Sequence, residues 1–79
     1  MEPHKVFVGQ RVGLPDWYSI PDQLIEPPMV EEISTEHRAF STHTLAKVVW
    51  SVREPGSERV LRQSRLFRVR DLKPLTEPL

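Results

Sequence analysis

Between Thr44 and Val52, four apolar residues, Ala46, Val48, Trp50 and Val52, occupy alternate positions. A period of two puts them on one face of an extended strand, because successive side chains of a strand point to opposite sides. Glu54, Pro55, Gly56 and Ser57 follow at once. Proline at the second turn position presets φ, and glycine at the third accepts the positive φ that a type II turn demands. The chain therefore reverses here. What comes next, Ser57 to Val69, has two readings. As a strand it sets Leu61, Gln63, Arg65, Phe67 and Val69 against Val60, Arg62, Ser64, Leu66 and Arg68. As a helix it gathers Val60, Leu61, Ser64 and Phe67 on one stripe and Arg59, Arg62 and Arg65 on another. The preceding turn and strand favour a hairpin partner, with the apolar face of 44–52 as its core.

Earlier in the chain, Lys5 to Leu14 is rich in valine and broken by Gly9 and Gly13, which predicts a strand carrying a bulge or tight bend. From Leu14 to Pro28, Pro15, Pro21, Pro27 and Pro28 stand among Asp16, Ser19 and Asp22. Proline removes a donor and fixes φ, so a continuous helix and a central strand are both excluded, and a long loop is expected. Met29 to Ser34 is a short strand candidate. Thr35 to His43 is polar and turn-like except for Phe40, and Arg70 to Lys73 reads as a short 3₁₀ turn before Pro74.

A chain of 79 residues has room for one domain, assigned to residues 1–75, with 76–79 as a frayed tail. It contains no cysteine, so disulfides and thiolate metal sites are excluded. Apolar residues make up 38 % of it, and a small core without staples raises the prospect of a homodimer or higher oligomer. No apolar run reaches the roughly 20 residues of a membrane helix, and Met1 to Lys5 lack a signal-peptide pattern, so the expected compartment is the cytoplasm. Net charge is zero, against a general polyanion binder, but the charge is divided. Residues 1–36 carry 2 basic and 7 acidic side chains, residues 37–79 carry 9 basic and 4 acidic. Neutralisation between the halves, with Arg59, Arg62, Arg65, Arg68 and Arg70 paired to Glu26, Glu31, Glu32 and Glu36, is the preferred reading.

Four or five short strands, a proline-rich loop after the first and a single-turn element near the end form the layout of a small antiparallel Src-homology-3-like barrel. The runs Val8-Gly9-Gln10-Arg11-Val12, Pro28-Met29-Val30-Glu31-Glu32-Ile33, Val48-Val49-Trp50 and Phe67-Arg68-Val69-Arg70-Asp71-Leu72-Lys73-Pro74 together resemble the YodC-like small bacterial proteins of unknown function. The chain departs from that pattern by the insertion between Gly13 and Pro27 and by the arginines from Arg59 to Arg70. The resemblance implies the barrel and little about activity.

Catalytic patterns are missing from the sequence. His37 and His43 are six apart, a spacing that fits neither a helical pair nor alternate residues of one strand face, and with His4 they read as surface residues with no metal role. Glu31 and Glu32, as strand neighbours, are expected on opposite faces. No glycine-flanked serine and no phosphate-cradling glycine loop occur, and no cofactor is expected. Trp50 and Phe67 are expected in the core. Trp17 and Tyr18 differ, because loop aromatics between prolines either line a binding groove or fold back to cap the barrel. The function read from the sequence is accordingly a non-catalytic binding or assembly module. Trp17, Tyr18, Pro21 and Phe40 would contact a protein partner or a second copy. The alternative is a nucleic-acid-binding barrel whose Arg59, Arg62, Arg65 and Arg68 grip phosphates.

Overall fold

The computed structural model describes residues 5–20 and 22–74. Pro21, His4 and the tail 76–79 lie outside the described residues. Five strands run in chain order: β1 (Val12–Gly13), β2 (Gln23–Arg38), β3 (Ser41–Arg53), β4 (Val60–Arg68) and β5 (Lys73–Pro74), with one 3₁₀ turn at Val69–Asp71 between the last two. All pairings are antiparallel, β1 with β5 in a two-stranded sheet and β2-β3-β4 in a three-stranded one. The chain is mostly β, and no α-helix occurs among the described residues.

Of the two readings of Ser57–Val69 the strand is found, over Val60–Arg68, with Val69 opening the 3₁₀ turn. β4 pairs with β3 from Arg53↔Val60 to Leu45↔Arg68. The turn between them forms as its residues dictate: Ser57 N–H donates to Glu54 O at 3.1 Å, and Gly56 holds φ +73°. Alternation along β3 then selects the core. Ala46, Val48, Trp50 and Val52 are at most 2 % exposed, joined by Val12, Val30, Phe67, Val69 and Leu72. Val69 and Leu72 enter it because the 3₁₀ turn, closed by Leu72 N–H donating to Val69 O at 3.1 Å, folds the chain end onto the sheet.

β2 overturns two expectations. Pro27 and Pro28, expected in the long loop, lie inside the strand. They are tolerated where the β2–β3 register breaks: Glu26 pairs with Ser51 and Met29 with Val49, so neither proline owes a hydrogen bond to the ladder. Arg11 Nη1 donates to the Pro27 carbonyl at 2.6 Å across this irregularity. A further shift between Val30 and Glu32 leaves Glu31 unpaired. That extra residue cancels the alternation, so Glu31 and Glu32 do not take opposite faces. Glu32 lies opposite Lys47, and Glu31 reaches Arg62 on that same outer side.

The polar stretch 35–43 is likewise strand rather than an open turn. β2 and β3 continue in register from Ser34↔Leu45 to Arg38↔Ser41, leaving Ala39 and Phe40 as a two-residue turn. Threonines suit a pleated surface, and Thr35 lies opposite Thr44. β4 stops at Leu45, so this end projects as a two-stranded ribbon and lengthens the molecule to 47 × 32 × 22 Å.

The first strand is shorter than its valines suggest. Gln10 N–H donates to Phe7 O at 3.2 Å, with Gly9 at φ +92°, a tight turn that leaves Phe7 and Val8 exposed. Only Val12 and Gly13 pair as strand. Gly9 N–H to Val30 O (2.8 Å), Val30 N–H to Gln10 O (2.9 Å) and the Arg11↔Met29 bridge carry this segment along β2 and so connect the two sheets.

Candidate functional site

The chain over 14–20 is tied down at three points. Pro15 is buried, and Tyr18 N–H donates to Pro15 O at 3.0 Å to close a turn. Asp16 pairs with Lys73 of β5. The turn brings Trp17 and Tyr18 to the core side of the three-stranded sheet, where β3 and β4 supply Trp50 and Phe67. Both expected core aromatics are 2 % exposed.

Four rings form one cluster. Tyr18 meets Phe67 edge-on at 5.4 Å and Trp50 at 5.8 Å, while Trp17 lies 5.8 Å from Phe67 and 6.2 Å from Tyr18. Such spacings fall in the favourable range for aromatic pairs. Trp50 Nε1 donates to Gln63 Oε1 at 3.0 Å, its direct partner across the ladder, so the indole N–H is satisfied. The two outcomes expected for the loop aromatics divide between neighbours. Tyr18 is half-buried and caps the core, whereas Trp17 rests on the cluster and stays 61 % exposed.

Strand alternation then separates the arginines. Arg65 lies opposite Val48 on the core side of the sheet, and its guanidinium carbon is 4.7 Å from the Tyr18 ring centre, 5.4 Å from Trp17 and 5.8 Å from Phe67. Arg62 and Arg68 lie opposite Ser51 and Leu45 on the outer face, and Arg59 sits in the turn, where its N–H donates to Ser57 Oγ at 3.1 Å. Of the expected pairing of arginines with glutamates, the described residues show Arg62 with Glu31 at 3.8 Å. β2 and β4 flank β3, so this contact arches over β3, where Val49 and Ser51 are buried on the outer side. Among the described residues, Arg59, Arg65 and Arg68 pair with no carboxylate. Alternation is the reason: Arg65 faces away from the side that Glu31 and Glu32 occupy, and the ladder places no glutamate beside Arg68.

Phe40 does not join the cluster. It is fully exposed at the ribbon tip, six residues along β3 from Ala46, which at 3.3 Å per residue is about 20 Å from the position of Phe67. Pro21 is outside the described residues. His37 and His43 are on opposite strands of the ribbon but are not cross-strand partners: His37 pairs with Thr42 and His43 with Glu36. Each ring contacts a nearby hydroxyl, Thr42 Oγ1 at 3.4 Å and Ser41 Oγ at 3.2 Å. Among the described residues no three metal-ligating side chains converge, and no helix is long and apolar enough to cross a membrane.

The sequence pointed to Trp17 and Tyr18 but missed Arg65 as their neighbour. Its signal was the strand reading itself, which set Arg65 on the Phe67 side of β4. Hollows of about 580 Å³ beside the Arg53–Glu58 turn and about 480 Å³ lined by Glu32, Lys47, Arg65 and Leu66 do not include the four rings, and the exposed part of the ring cluster is a platform. No protein-family model, no curated protein and no solved structure matches this chain.

Proposed function

We propose that this chain is a non-catalytic binding module, built as a Src-homology-3-like barrel, that docks a protein partner on the platform formed by Trp17, Tyr18 and Arg65. The fold reading is supported by the spatial sequence β5-β1-β2-β3-β4, with the long, irregular β2 shared between the two sheets and the 3₁₀ turn leading into β5. A second copy of the chain is one partner that such a platform could take.

One observation carries the functional reading. Trp17 is 61 % exposed yet held between Phe67 and Tyr18 on a loop anchored by the Asp16–Lys73 pair. A large ring kept in water at a fixed position offers apolar contact area without the entropy cost of ordering a loop on binding. Nucleic-acid binding through the arginines is less favoured, because Arg65 is parted from Arg62 and Arg68 by the sheet and Arg62 is paired with Glu31.

Selection of displayed random peptides on the wild-type protein and on Trp17→Ala is the test. Peptides that bind the wild type and Phe40→Ala but lose Trp17→Ala are the expected result. Enrichment that ignores Trp17, or none, would overturn the platform. Retention on oligonucleotides at physiological salt that is lost in Arg62→Gln would favour the nucleic-acid reading instead.

A further inference from the structure

Arg65 differs from the other cations of the chain in how its guanidinium is used. Three rings lie within 6 Å of its central carbon, the range of cation–π contact. Its planar N–H edge has no hydrogen bond or ion pair among the described residues. A guanidinium held among rings has less freedom to turn, and its fork of donors matches a carboxylate bidentately.

The surroundings leave that charge uncompensated. Val48 lies opposite on β3, Gln63 and Phe67 are its neighbours on the same face of β4, Asp16 is engaged by Lys73, and Glu31 and Glu32 are on the other side of the sheet. Beside the fork stands the exposed ring of Trp17, an apolar surface for whatever adjoins the bound acid. A nucleic-acid backbone would need a track of cations, whereas Arg62 and Arg68 are on the far face. A single carboxylate needs one fork.

We infer that Arg65 is a carboxylate-recognition point, and that the platform takes an acidic peptide segment in which a Glu or Asp side chain lies next to a proline or another flat apolar residue. This rests on the reading of Trp17 as a partner-binding ring.

Fluorescein-labelled peptides of four Glu-Pro-Leu repeats and four Gln-Pro-Leu repeats, together with a dT12 oligonucleotide, are titrated at 150 mM salt against the full chain. The Glu peptide is expected to bind about tenfold or more tighter than the Gln peptide, as a charge-assisted hydrogen bond implies. Arg65→Gln abolishes that preference, so that this variant binds the two peptides equally. Arg65→Lys, which keeps the charge but not the fork, falls between the two, so the outcome does not hang on one variant's folding. Arg62→Gln on the outer face changes neither peptide, and Trp17→Ala weakens both. Equal binding of the two peptides by the wild type, still weakened by Trp17→Ala, overturns the carboxylate point and leaves the platform standing. Glu-peptide binding indifferent to Trp17 overturns the platform, and failure of both peptides to bind overturns both readings. Tighter binding of dT12 that Arg65→Gln removes would make the site a polyanion contact instead.

Discussion

At the scale of single residues, the adjacent pair Trp17 and Tyr18 shows how one position along a chain separates structure from surface. Tyr18 touches both core aromatics, Trp50 and Phe67, while Trp17 touches Phe67 from above and leaves most of its own area in water. Truncation should therefore cost more at the smaller ring. Tyr18→Ala is expected to lose about 2–3 kcal/mol of unfolding free energy and Trp17→Ala about 1 kcal/mol or less, read from urea titrations at matched slope. An equal or reversed order would mean that Trp17 is part of the core, and the platform would lose its basis.

At the scale of elements, the two hairpins are held by different means. The β3–β4 turn depends on local backbone geometry. Gly56→Ala forces a side chain into the left-handed region at φ +73° and should destabilise by about 1–2 kcal/mol, although nothing lies within 4 Å of the added carbon. Thermal unfolding of this variant separates strain from crowding, since no neighbour is available to crowd. The far end of the β2–β3 hairpin contributes little to the core, because the ribbon from Thr35 to Thr44 runs beyond β4 and contains no buried residue. Replacing residues 35–44 by Asn-Gly, a pair suited to a tight hairpin turn, should leave stability within about 0.5 kcal/mol of the parent and retain the β-type circular dichroism spectrum. Collapse of the fold on this shortening would show that the ribbon stabilises more than itself.

At the scale of the whole molecule, one apolar cluster is shared by every part of the fold. Val12 of β1, Val30 of β2, four residues of β3, Phe67 of β4 and Val69 and Leu72 around the 3₁₀ turn pack together. The two sheets thus have no separate cores, and unfolding is expected to be a single transition. Far-ultraviolet circular dichroism and tryptophan fluorescence should give coincident urea curves, with a free energy of about 4–12 kcal/mol for a chain of this size. Separate midpoints would mean that the β1–β5 sheet opens independently. The charge division between the halves is bridged at this scale: Lys73 with Asp16, Arg62 with Glu31 and Arg38 with Glu36 join basic residues of 37–79 to acidic residues of 1–36.

The parts of this fold that were legible in the sequence are those set by local chemistry. Alternation at Ala46, Val48, Trp50 and Val52 specified a strand and its buried face, and Pro55-Gly56 specified the reversal, because side-chain period and allowed φ are properties of neighbouring residues. β2 was illegible for the opposite reason. Whether Pro27 and Pro28 interrupt a strand depends on whether the partner strand skips them, and whether Glu31 and Glu32 share a face depends on a bulge that exists only in the pairing. The ribbon from 35 to 44 took its strand character from cross-strand contact rather than from apolar periodicity. At the candidate site, Trp17 and Tyr18 stood out by composition alone. That Tyr18 turns inward, that Trp17 remains in water and that Arg65 rather than Phe40 completes the group were decided by the tertiary structure, since residues some 50 positions apart become neighbours only when β4 is laid against β3 and the loop folds across them.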